Sequence, residues 1–147
     1  MNTELMNWEQ CKEEFIREVH VDYDKVRSIL KMCAVRLRVL EQIQLDDETA
    51  SIIAEDYYEI VKEYLTALML TNGLKSSNHE CLVSFFNQKY SDKDYEVKLL
   101  YELKKVRNRI SYEGFFVDKS YVQRNKLEWQ HIIELLDKEI KEKLKSN

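Results

Sequence analysis

Apolar residues recur at intervals of three and four along most of the chain, the spacing of helices that each bury one face. From Asp22 to about Gln44, residues Val26, Ile29, Leu30, Cys33, Leu37, Leu40 and Ile43 form one stripe, with Asp22 placed to act as N-cap. A second stripe, Ile53, Tyr57, Ile60, Val61, Tyr64, Leu65 and Leu68, follows the acidic opening Asp46-Asp47-Glu48, which suits the positive end of a helix dipole, and Gly73 ends it. Ser77-x-x-Glu80 then reads as a capping box for a short helix, Glu80 to about Gln88, carrying Leu82, Val83, Phe85 and Phe86. After Ser91-Asp92, a fourth long helix starts near Asp94, carries Leu99, Leu100, Leu103, Val106 and Ile110, and stops at Gly114. The last begins after Asp118 and sets Val122, Trp129, Ile132, Ile133, Leu136 and Ile140 on one face, while a short leader helix is expected over about Trp8 to Val19.

No alternating strand pattern, internal repeat or low-complexity tract interrupts these segments. The expectation is an all-α fold, an antiparallel up-and-down bundle of about five helices in a single domain over 1–147, with a leader in 1–21 and the bundle in 22–144. The absence of proline and the presence of only two glycines exclude collagen-like and Gly/Pro-rich disordered chains. At 147 residues about two-thirds of the unfolded surface can be buried, so a core needs no covalent staple. Neither a basic leader followed by an apolar run nor a stretch of about 20 apolar residues is present, so a cytoplasmic protein without membrane contact is expected. Cys11, Cys33 and Cys81 are odd in number, with no C-x-x-C, and read as reduced thiols rather than as a disulfide framework or a zinc site.

The net charge of −4 hides a division. Residues 98–126 hold Lys98, Lys104, Lys105, Arg107, Arg109, Lys119, Arg124 and Lys126 against only Glu102, Glu113 and Asp118, so one basic segment sits on an acidic body. That is the shape of a local phosphate site, and equally of a solvated helix face. Two isolated glycines cannot build a P-loop or a Rossmann turn. Glu128-x-x-His131 has the spacing of a di-iron ligand pair but lacks its second pair, so His131 reads as a surface histidine. His20, His79 and His131 lie on different segments, and no catalytic triad follows from spacing. No metal or cofactor is called for.

The most informative stretch runs from Lys104 to Phe116. With Leu103, Val106 and Ile110 facing the core, Arg107 falls on the border of the apolar stripe, while Lys104, Lys105 and Arg109 point outward. A guanidinium on such a border needs a partner, either a carboxylate within the fold or a phosphate from outside. Asn108 adds a donor and an acceptor beside it, and Tyr112 adds a phenol one turn and one residue later. Arg107 is the expected anion contact, because its planar fork matches phosphate oxygens. Phe115 and Phe116 cannot both face one core from one helix, so at least one is expected to cover another element or a partner subunit.

Over roughly Asp22 to Ile140 the sequence resembles the HEPN family of small helical domains. The resemblance lies in the helix from Tyr57-Tyr58-Glu59 to Leu70, in the link Leu74-Lys75-Ser76-Ser77-Asn78-His79-Glu80 into an aromatic helix, and above all in Arg107-Asn108 near the end of the next helix. The family signature is Arg, often followed by Asn, then four to six residues and His. It implies a helical homodimer whose signatures face each other. Many members are metal-independent ribonuclease toxins paired with a minimal nucleotidyltransferase antitoxin, and others are non-catalytic RNA- or nucleotide-binding modules. In the enzymes the Arg holds the scissile phosphate and the His assists proton transfer.

Here Tyr112 stands where a four-residue spacing places His. A phenol titrates near pH ~10, a poor general base at neutral pH, though still a hydrogen-bond donor. His79 is a substitute base if the bundle brings it to Arg107. Three readings follow. In the first, Arg107, Asn108, Arg109, Ser111 and Tyr112 bind an RNA or nucleotide phosphate with degenerate nuclease chemistry, and Phe115 and Phe116 lie at a homodimer interface. The second is an active ribonuclease toxin using Arg107 and Tyr112, partnered by a nucleotidyltransferase. The third is a structural dimer in which Arg107 pairs with Glu113 or with an acid of 46–63.

Overall fold

The computed structural model describes residues 5–146. Among them six helices and one small sheet form, in the order α1 (Trp8–Glu14), β1 (Ile16–Glu18), α2 (Tyr23–Leu40), α3 (Ala50–Thr71), β2 (Leu74–Ser76), α4 (Glu80–Lys89), α5 (Asp94–Glu113) and α6 (Lys119–Lys145). The fold is a helical bundle, as the periodicity predicts. Helix α3 is apolar on almost every side and accordingly lies at the centre, packed against α2, α4, α5, α6 and β2.

The helix starts follow local chemistry. Asp22 Oδ1 accepts from the Lys25 N–H at 3.0 Å and Asp118 Oδ1 from the Tyr121 N–H at 3.0 Å, each satisfying a donor that the first turn leaves open. At the entry to α3, Asp46 Oδ1 accepts from the Thr49 N–H at 2.8 Å while Thr49 Oγ1 accepts from the Asp46 N–H at 3.0 Å, a reciprocal pair that fixes the turn. Helix α2 ends at Leu40, short of Gln44, because residues 41–43 bend away in a tight turn toward that pair.

Both glycines have left-handed backbone, φ 69 at Gly73 and φ 67 at Gly114. Gly73 also brings its carbonyl to the Val19 N–H at 2.9 Å, and a Cβ there would stand 3.2 Å from the Val19 carbonyl oxygen. After Gly114 the chain crosses the start of α3, where the buried Ser51 Oγ accepts from the Val117 N–H at 2.9 Å. This contact fixes the end of α5 against α3.

Three expectations need correction. The leader helix stops at Glu14, and the chain continues as β1, antiparallel to β2 with Ile16 opposite Ser76 and Glu18 opposite Leu74. Strands of three residues are too short for alternation to reveal. Ser77 does not close a capping box: its hydroxyl donates to the Phe15 carbonyl at 3.4 Å, and Asn78 Oδ1 accepts from the Glu80 N–H at 2.8 Å instead. Glu80 is drawn off because its carboxylate accepts from the Met6 N–H at 2.8 Å. Finally, Cys11 and Cys81 form a disulfide between α1 and α4 across 70 residues, leaving Cys33 free and buried. Burial is the main reason the Cys33 thiol is pushed up to about 12, so that thiol is inert. The pairing of Cys11 with Cys81 depends on α1 docking onto α4, where Trp8 lies 5.5 Å from Phe85, and no sequence spacing encodes that contact.

Candidate functional site

Helices α3 and α5 run antiparallel, and along their seam each carries polar residues one turn apart. Ser111 Oγ donates to Glu55 Oε2 at 2.6 Å, and one turn along, Arg107 Nη2 donates to Glu59 Oε1 at 3.1 Å. Glu55 and Glu59 are spaced i, i+4 on α3 as Arg107 and Ser111 are on α5, so the two rows meet in register. Lys62, the next polar position on α3, places Nζ 2.7 Å from Glu59 Oε2. Glu59 is thus shared by two cations.

Burial alone would raise the Glu59 pKa, but the hydrogen bond and charge of Lys62, followed by Arg107 and His79, outweigh it and hold the carboxyl below its ordinary range. The Arg107 guanidinium lies over the Tyr58 ring, 5.4 Å from its centre, and Arg107 Nη1 donates to Asn108 Oδ1 at 3.3 Å. Burial pushes the Tyr58 hydroxyl up to about 12, against the lowering pull of the Arg107 charge. Arg107 is therefore oriented by a ring below and a carboxylate beside it, with its side chain 22% exposed.

These groups line a solvent-open groove of about 420 Å³. One wall is α5, with Lys104, Arg107, Asn108 and Tyr112. Tyr58 forms the floor, and the opposite wall is the link into α4, residues 77–80. A volume of this size is within the range of small-ligand sites. Lys104 does not point outward as expected. It turns into the groove, 3.4 Å from Glu80 Oε1, because Glu80 is anchored there by Met6.

Of the sequence candidates, Arg107, Asn108 and Tyr112 line the groove, and so does His79, exposed at the start of α4. Partial burial, with Lys62 next and Arg107 acting the same way, lowers the His79 pKa against the opposing pull of Glu59 and Glu63. Arg109 and Ser111 stand outside the groove: Arg109 stacks 3.8 Å over the Phe115 ring and pairs loosely with Glu113 at 3.8 Å, while Ser111 faces Glu55. Phe115 is half-buried against the core, whereas Phe116 is 70% exposed and Tyr112 is 76% exposed.

No family model matches the chain, and no curated protein matches it. Among solved structures it is similar to YutE from Bacillus subtilis, described as a cytosolic protein of unknown function, with a TM-score of 0.54 at 15% identity over 87% of this chain and 94% of that one. At that identity the likeness shows the fold alone.

Sequence reasoning did not single out Glu59 as the partner of Arg107, nor Glu80 and Lys104 as groove residues. One signal was available for the first. Glu55, Glu59 and Lys62 are charged residues at helical spacing on the largely apolar α3, and such a row needs a polar partner. Among the described residues no three His, Cys, Asp or Glu side chains converge as metal donors, and no helix is long and apolar enough to cross a membrane.

Proposed function

We propose that the groove beside Arg107 binds the phosphate of an RNA chain or nucleotide, in a homodimeric HEPN-like module. The observation that carries the reading is the set of Arg107, Lys104, Asn108 and Tyr112 on one wall of an open groove. Two cations and two neutral hydrogen-bonding groups suit a phosphodiester, which offers several acceptor oxygens. The Arg107–Glu59 pair does not oppose this. When Arg107 turns to an outside phosphate, Glu59 keeps Lys62 at 2.7 Å, so the exchange strands no carboxylate. Exposed Tyr112, in the last turn of α5, and Phe116, just past its end, are the proposed surface for the second copy.

A second reading is favoured by the same pair: Arg107 and Glu59 at 3.1 Å are a structural ion pair that fixes α5 to α3 and binds nothing. A mobility-shift titration with a labelled single-stranded RNA pool separates the two. Under the phosphate reading wild type shifts the RNA, Arg107→Ala does not, and both elute at the size of a dimer. Equal shifts by both proteins, or none by wild type, would leave the structural pair.

A further inference from the structure

Ser77-x-x-Glu80 reads in sequence as a capping box, yet neither member makes the bond that the motif prescribes. The leader, described over residues 5–18, has taken both. The Phe15 carbonyl accepts from the Ser77 N–H at 3.0 Å and from the Ser77 hydroxyl at 3.4 Å, and the Met6 N–H donates to Glu80 Oε2 at 2.8 Å. Held there, Glu80 Oε1 stands 3.4 Å from Lys104 Nζ and sets a negative charge against a cation of the groove wall. The same two side chains thus have two sets of partners, one in the leader and one in each other, which is the basis of a two-state element.

The leader is held by little besides one covalent bond. Helix α1 has seven residues and β1 three, lengths that are marginal alone in water. Trp8 packs 5.5 Å from Phe85, and the Ser84 hydroxyl donates to the Met6 carbonyl. The Cys11–Cys81 disulfide ties α1 to the residue next to Glu80.

We propose that the leader is a redox-latched clamp on the groove: reduction of Cys11–Cys81 lets residues 5–18 lift, the Ser77–Glu80 capping box closes, and Lys104 is released to an incoming anion. The effect on the groove rests on the phosphate reading above.

The reductant is a dithiol. One of its thiolates attacks a cysteine sulfur, the S–S bond breaks with its electron pair on the other sulfur, and that sulfur takes a proton. The second thiol of the reagent then displaces the remaining cysteine, so two electrons and two protons reach Cys11 and Cys81 and the dithiol closes as a disulfide. Both cysteines are fully buried, so the exchange waits on a local opening of α1. After release, Ser77 Oγ accepts from the Glu80 N–H in place of Asn78 Oδ1, and the Glu80 carboxylate accepts from the Ser77 N–H that Phe15 has given up. Glu80 is then drawn over the first turn of α4 and away from Lys104.

The test uses the full-length protein, oxidised and after treatment with dithiothreitol, with thiols counted in denaturant to establish the state of Cys11 and Cys81. Hydrogen exchange read by mass spectrometry follows the leader, and the anisotropy of a fluorescent single-stranded RNA follows the groove. Reduction is expected to speed amide exchange over residues 5–18 at least ~10-fold while α6 keeps its protection, and to tighten RNA binding about threefold. Cys11→Ser should behave as the reduced protein with or without dithiothreitol. Lys104→Gln should bind with the same affinity in both states, and Ser77→Ala should release the leader on reduction with less than the full gain in affinity. Unchanged exchange in the leader once the thiols are free would overturn the latch. A released leader with unchanged RNA affinity would overturn the clamp on the groove and leave phosphate binding standing. Binding by neither state would remove the phosphate reading, and the exchange result alone would then decide whether the leader is latched.

Discussion

Helix α3 has two unlike seams. Against α6 it is dry: Tyr57 lies 5.3 Å from Trp129, and its hydroxyl accepts from Gln130 Nε2 at 3.2 Å. Further along, the Tyr64 hydroxyl donates to Asp137 at 3.1 Å. Each polar tip has one partner inside the fold. Against α5 the same helix presents Glu55 to the Ser111 hydroxyl and Glu59 to the Arg107 guanidinium, with Lys62 beside Glu59, and these groups are part exposed. Apolar burial along the first seam holds the bundle together, while charge pairs in partial contact with water contribute little to stability. The contrast teaches that one helix can hold a fold on one face and present part-exposed charges on another. Under the phosphate reading, a residue of the second seam changes partner while the first seam stays intact.

Substitutions should separate the seams, and the largest effect belongs to the dry one. Trp129→Ala removes a ring that is 1% exposed and should lower stability by about 3–5 kcal/mol in urea unfolding. RNA affinity of the remaining folded protein should be unchanged. Next comes the clamp on α4: Cys11→Ser opens a link spanning 70 residues and should lower stability by roughly 4 kcal/mol, an effect that a reductant reproduces in wild type.

At the charged seam the readout changes from stability to binding. Arg107→Ala should weaken RNA binding by about 10- to 100-fold, the scale of charge-assisted hydrogen bonds, with less than about 1 kcal/mol change in stability. Acid should act here too. Because the Glu59 carboxyl is held below its ordinary 4.5, its contribution to stability is full above that value and is lost as the pH falls through the lowered pKa. Glu59→Gln should therefore show a shallower loss of stability with acid than wild type. Smallest of all, Ser111→Ala removes one exposed bond to Glu55 and should cost less than about 0.5 kcal/mol, leaving RNA binding unaltered. A large effect of Ser111→Ala on binding would extend the site beyond the groove.

Much of this architecture is legible in the sequence because helix formation is local. Asp22, Asp118 and Gly114 mark ends that the structure keeps, since a cap or a left-handed turn depends on a few adjacent residues. Arg107 on the edge of the apolar stripe was legible for the same reason, as was its need for a partner. The identity of that partner was not, because choosing Glu59 over Glu113 requires the register of α5 against α3. Lys104 was misread as outward for want of one long-range fact, the anchoring of Glu80 by the chain near Met6. The Cys11–Cys81 bond and the β1–β2 pair share that origin: both exist only once the leader has docked onto α4 and the end of α3.

The claim that most needs testing is that Arg107 can leave Glu59 for a phosphate. The direct measurement is the affinity of Glu59→Gln for a fluorescent single-stranded RNA by anisotropy, beside wild type and Arg107→Ala, at fixed low salt. Removing the competing carboxylate should tighten binding severalfold over wild type, with Arg107→Ala far weaker than either. Weaker binding by Glu59→Gln than by wild type would contradict the account, and would mean that the Arg107–Glu59 pair serves the fold and not a ligand.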